Sequence, residues 1–155
     1  MSSTYNAKQA GREFAFRFLY QWEVTNTDSS SPPQDEALDT AVEFFRHMFI
    51  DENEKALTID QRGLTFARQL ISKVFSNNLE IEECLTKFLK FKGANSANKV
   101  DMALLKLGTC ELLFFADTPY KVVINEAINL AKQYGPQDSP SFINGVLDKV
   151  AHLKQ

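Results

Sequence analysis

Glycine-rich phosphate loops, paired-histidine zinc motifs and long apolar runs are all missing from this 155-residue sequence. Without the loop or the zinc motif there is no recognisable nucleotide-hydrolysing or metalloprotease chemistry. The only imidazoles are His47 and His152, and the carboxylates read as solvated helix faces rather than an acid/base pair. No enzyme, cofactor or metal site is therefore expected. The two cysteines, Cys84 and Cys110, have no second Cys or His at ligand spacing and read as small buried residues. No segment is apolar enough to span a bilayer, and Lys8, Arg12, Glu13 and Arg17 interrupt the N-terminal stretch where a signal peptide would need an unbroken apolar core. A soluble, cytoplasmic protein is the expectation.

Glycine and proline are also scarce, with six and five residues, whereas phenylalanine occurs 13 times and 44% of the chain is hydrophobic. That balance suits a packed globule that folds without metal or disulfide support. The net charge of −3 argues against a general nucleic-acid coat. Its distribution is uneven: a basic first segment (Lys8, Arg12, Arg17), an acidic stretch from Glu23 to Asp60, and a second basic region from Gln61 to Lys99.

Apolar residues recur at spacings of three and four through most of the chain, with no alternation of useful length, so the fold is predicted to be all-α. Helices are expected from about Tyr5 to Val24, Asp35 to Phe49, Asp60 to Phe75, Leu79 to Phe91 and Ala97 to Ala116. A sixth should begin at Pro119 and stop at Gly135, and a seventh should start with Asp138 or Ser139 as cap. Seven helices in two packed sub-bundles follow, as one domain over residues 1–155. The Gly/Asn/Ser break at Lys92 to Asn98 is the expected seam between halves of about 1–92 and 97–155.

On the first helix Lys8, Arg12, Phe16 and Tyr20 follow one another at a spacing of four, which places them along one flank. Two cations followed by two rings suit single-stranded RNA, the cations holding phosphates and the rings stacking on bases. In the plainer reading Phe16 packs in a wide core while Lys8 and Arg12 are solvated. Phe142 falls at the edge of the apolar face set by Ile143, Val146, Leu147 and Val150, where its ring can stack on a base or join the core. Asp138, at the start of that helix, can accept from a base or cap amides.

The stretch from Asp117 to Ile128, reading DTPYKVVINEAI, resembles the most specific signature of the NusB family. The likeness continues through NLAKQYG (Asn129 to Gly135), Asp138, Ser139, Phe142 and INGVLDKVA (Ile143 to Ala151). Arg12-Glu13, the segment from Leu19 to Trp22 and Cys110 to Leu113 also look like the family. Glu23 to Asn98 is similar in helical character only. The resemblance implies a transcription antitermination factor that pairs with ribosomal protein NusE, binds boxA-type RNA and joins the RNA polymerase antitermination complex on ribosomal RNA operons. By the same resemblance Lys8, Arg12 and Tyr20 fall in the N-terminal RNA segment, Asp138 and Phe142 in the C-terminal one, and Asp101 near the acidic residue facing the protein partner. The sequence departs from the family at Gln9, Ala10 and Gly11, where arginine is usual. Fewer phosphate contacts weaken binding and flatten its salt dependence. A NusB-like scaffold that binds proteins without direct RNA contact is the alternative.

Overall fold

The computed structural model describes residues 3–26, 31–52, 59–89 and 98–153. Among them are seven helices and no strand: α1 (Ser3–Thr25), α2 (Asp35–Glu52), α3 (Gln61–Ser76), α4 (Asn78–Leu89), α5 (Lys99–Phe114), α6 (Tyr120–Tyr134) and α7 (Ser139–Leu153). Two compact units divide the chain, Met1–Ser76 and Asn77–Gln155.

In the first unit α1 packs along α3. Two glycines permit the approach: a Cβ on Gly11 would lie 2.7 Å from the Gly63 carbonyl oxygen, and one on Gly63 would lie 2.8 Å from that of Ala7. Distances this short leave no room for any side chain. Next to the crossing, Asp60 caps α3 by accepting the Gly63 N–H at 2.9 Å. Phenylalanine rings are interleaved with the aliphatic core. Phe45 of α2 meets Phe14 and Phe18 edge-on at 5.3 and 5.5 Å, and Phe75 of α3 approaches Trp22 at 5.4 Å. The two edge-to-face pairs of Phe45 stabilise beyond their buried area. Asp35 begins α2 with a φ of 53°, a left-handed conformation that aspartate tolerates better than most residues.

The second unit is built around α5, which is buried on nearly every side from Ala103 to Leu112. Helices α4, α6 and α7 pack on it. Leu104, Leu105, Ile81, Leu85, Ile143 and Leu147 form the core, and at its edge Lys106 of α5 reaches the exposed Glu82 of α4 at 3.3 Å. Placing α4 in this unit differs from the expected seam at Lys92 to Asn98, most of which lies outside the described residues. The cause is packing: Ile81, Cys84 and Leu85 give α4 an apolar face, and it is covered by α5 and α7.

Helix ends also refine the expected signals. Pro119 occupies the cap position and α6 begins one residue later. Gly135 does end α6, but with extended backbone (φ −101°, ψ 170°) rather than a left-handed turn. What requires glycine there is space, because a Cβ would lie 2.7 Å from Ser139 Oγ.

Candidate nucleic-acid interface

Steps of four residues along a helix advance about 40° each, so four residues from Lys8 to Tyr20 spread over roughly 120°. The consequence is visible on α1. Lys8 is half-buried, Arg12 is 4% exposed, Phe16 is 2% exposed, and Tyr20 returns to the surface at 37%. The stripe therefore crosses the core instead of lying on one open flank. Phe16 stands in the packed interior, its ring 6.3 Å from that of Tyr20, and offers no face for a base to stack on. Arg12 is likewise no solvated cation. Its guanidinium carbon lies 5.2 Å from the centroid of the Phe66 ring, and Lys8 Nζ lies 5.2 Å from the same ring.

Lys8 and Arg12 thus converge on one aromatic side chain of α3, a neighbour that the α1 stripe by itself does not reveal. Cation–aromatic contacts of this kind stabilise by about 0.5 to 2 kcal/mol depending on desolvation. They also leave Lys8 and Tyr20 as the stripe's outward-facing members. The pairing with Phe66 depends on the Gly11–Gly63 crossing, and a periodicity count on α1 alone does not show which helix lies opposite.

In the second unit, Asp138 is exposed just ahead of α7, and Phe142 is half-buried one turn further on. Between them Ser139 is buried and donates from Oγ to Asp101 Oδ1 at 2.5 Å. Asn98 completes the cluster: its Nδ2 donates to Asp101 Oδ2 at 3.3 Å, and its Oδ1 caps the Asp101 N–H at 2.8 Å. Asp101 is only 5% exposed. Its carboxylate is enclosed by Asn98 and Ser139 and has little surface open to solvent. It ties the start of α7 to the start of α5. A charge enclosed in this way is stabilised by its hydrogen bonds, and the buried serine hydroxyl gains a partner. The tether fixes the first turn of α7, on which Asp138 and Phe142 sit.

Among the described residues, no group of three or more His, Cys, Asp or Glu side chains could hold a metal ion. Nor is any helix there long and apolar enough to cross a membrane. Cys84 is buried, and desolvation pushes its thiol above the ordinary value near 9.0, with Lys87 opposing and Glu80 reinforcing the shift. That direction is opposite to the one a nucleophilic cysteine needs.

The described residues define an all-helical protein, seven helices in two compact units. The chain belongs to the NusB family, whose model matches residues 9–152. The transcription antitermination protein NusB of Geotalea daltonii is 36% identical over 146 residues, covering 94% of each chain. That of Geotalea uraniireducens is 33% identical over 148 residues, covering 96% of each. Among solved structures, T. maritima NusB is similar at a TM-score of 0.74 and 31% identity, covering 94% of this chain and 90% of that one. A structure of antitermination factors NusB and NusE in complex with dsRNA shares the fold, at a TM-score of 0.72 and 21% identity, covering 95% of this chain and 97% of its counterpart.

Proposed function

We propose that this chain is a transcription antitermination factor that binds boxA-type RNA together with ribosomal protein NusE. Acting within the RNA polymerase antitermination complex, it supports transcription of ribosomal RNA operons in the cytoplasm. The observation carrying this reading is the start of α7, where exposed Asp138 and half-buried Phe142 flank a serine fixed by Asp101. A carboxylate and a ring held one turn apart can accept from a base amino group and stack on its face. Lys8 adds charge for phosphate, and Tyr20 adds a second surface ring. Residues 1–155 work as one RNA-binding domain in this reading, with each unit contributing its own contacts. The role is one of binding, not catalysis.

The second reading, a scaffold that joins proteins without touching RNA, is favoured by a specific observation. With Arg12 buried and Gln9, Ala10 and Gly11 uncharged, α1 supplies less free positive charge than its sequence position suggests. Titration of labelled boxA-type RNA across salt concentrations, with and without NusE, separates the two. Salt-dependent binding supports the RNA reading, and no binding under either condition assigns the chain to scaffolding.

A further inference from the structure

Ser139 stands between the two residues at the start of α7 that the RNA reading uses, yet it is 1% exposed and cannot itself meet RNA. Its hydroxyl is directed inward, donating to Asp101 Oδ1 at 2.5 Å, and Asn98 holds the same carboxylate by donating to Oδ2 at 3.3 Å. The Ser139 N–H is also engaged, by the Pro136 carbonyl at 3.0 Å. Gly135 closes another side, where an added Cβ would lie 2.7 Å from Ser139 Oγ and 2.9 Å from its Cβ. Ser139 is therefore gripped by the start of α5 and by the turn between α6 and α7.

The turn it belongs to has few fastenings of its own. Among the described residues none donates a hydrogen bond to the Asp138 carboxylate, so this residue does not cap α7 with its side chain in the usual aspartate manner. Pro140 brings no N–H. The Phe142 amide donates to the Asp138 carbonyl at 3.2 Å, which joins the two residues through the backbone without anchoring them to the rest of the unit. The next buried anchors, Ile143 and Val146, lie beyond the stretch that carries both groups. The Asp138 carboxylate is thus left open to a ligand, and Ser139 is the side chain that ties down the backbone between it and Phe142.

We propose that Ser139 is a positioning residue of the RNA site: held by Asp101 and Asn98, it sets the first turn of α7 so that the Asp138 carboxylate and the Phe142 ring are presented to RNA together. Groups on a loosely held turn must be ordered when RNA arrives, and that ordering opposes binding, whereas a turn already fixed binds without it. The proposal rests on the RNA-binding reading above and adds to it the residues that hold its contacts in place.

The test measures binding of labelled single-stranded boxA-type RNA by the full chain with NusE present, counted per folded molecule after circular dichroism melting has fixed the folded fraction. Ser139→Ala removes the tie and should weaken binding about five- to tenfold, as expected for one hydrogen bond, with the salt slope unchanged because no cation is lost. Gly135→Ala keeps every hydrogen-bonding group but pushes Ser139 from its seat, so it should weaken binding as well. The decisive comparison uses the combined Asp138→Ala and Phe142→Ala protein. There the addition of Ser139→Ala should change RNA affinity by less than about twofold, since a residue acting through those two groups has nothing left to position. Equal losses in both backgrounds assign Ser139 to general stability and overturn the proposal. Unchanged affinity in Ser139→Ala overturns it too, and where that variant is too unstable to titrate, unchanged affinity in Gly135→Ala does the same. If the parent chain binds RNA and the Asp138→Ala, Phe142→Ala protein binds it equally well, the positioning role is overturned and the RNA reading stands. A parent chain that binds no RNA overturns both.

Discussion

Phe142 combines two roles that a single substitution can separate. A wholly buried phenylalanine truncated to alanine costs about 3 to 5 kcal/mol of folding stability. Phe142 is half-buried, so truncating it removes less buried surface and Phe142→Ala should fall below that range. If the exposed part stacks on a base, RNA affinity should drop by roughly 1 to 3 kcal/mol as well. Denaturant unfolding and RNA titration of the same variant give both numbers. A large stability loss with unaltered RNA affinity would make Phe142 a core residue only. Cys84 supplies a second residue-scale expectation. Burial raises its thiol pKa in the folded state, so its contribution to stability is present below the unfolded value near 9.0 and is lost as pH rises through the folded one. Cys84→Ala should therefore show a flatter decline in unfolding free energy on the alkaline side than the parent protein, and parallel curves would rule the contribution out. At this scale the sequence was informative about residue type and less so about surroundings. The rim position of Phe142 followed from spacing, whereas burial of Arg12, Phe16 and Asp101 depended on helices distant in sequence.

Helix positions were largely legible because each helix carries apolar residues at helical spacing and some ends carry a cap or a glycine, as Asp60 before α3, Asn98 before α5 and Gly135 after α6. Spacing does not state how closely two helices approach. Gly11 and Gly63 have no signature distinguishing them from other helical glycines, yet they set the α1–α3 crossing and hence the pairing of Lys8 and Arg12 with Phe66. Gly11 and Gly108 make this measurable. A methyl group on Gly11 would meet the backbone oxygen of Gly63 at 2.7 Å, so the helices themselves must separate. One on Gly108 would meet Leu147 Cδ1 at the same 2.7 Å, where the neighbour is the far end of a side chain that can rotate. Alanine also gains about 1 kcal/mol over glycine in helix propensity, which offsets the smaller clash more completely. Gly11→Ala should thus destabilise by about 1 to 3 kcal/mol and Gly108→Ala by less. Equal losses in urea unfolding would show that the α1–α3 crossing has more slack than its distances suggest.

For the whole molecule, the decisive quantity is the coupling between RNA and protein partner. The chain carries a net charge of −3, and one of its two expected phosphate-binding cations on α1 is buried. Alone, it should bind RNA weakly, with a shallow salt slope, because few counterions are released. NusE supplies the remaining contacts in the proposed complex, so RNA affinity should rise when it is present. Linkage then fixes a second result: RNA must strengthen the protein pair by the same factor that the pair strengthens RNA binding. Lys8→Ala probes the chain's own share. Lys8 is half-buried over Phe66, so its loss removes a cation–aromatic contact of about 0.5 to 1 kcal/mol along with any phosphate contact. A purely structural lysine would lower the melting temperature and leave the salt slope unchanged. One that also binds phosphate would make the slope shallower by about 0.7, with and without NusE. Calorimetry in both orders of addition, at two salt concentrations, measures the coupling and the slope together. Identical RNA affinity with and without the partner would remove the cooperative scheme and leave two independent binding events on one chain.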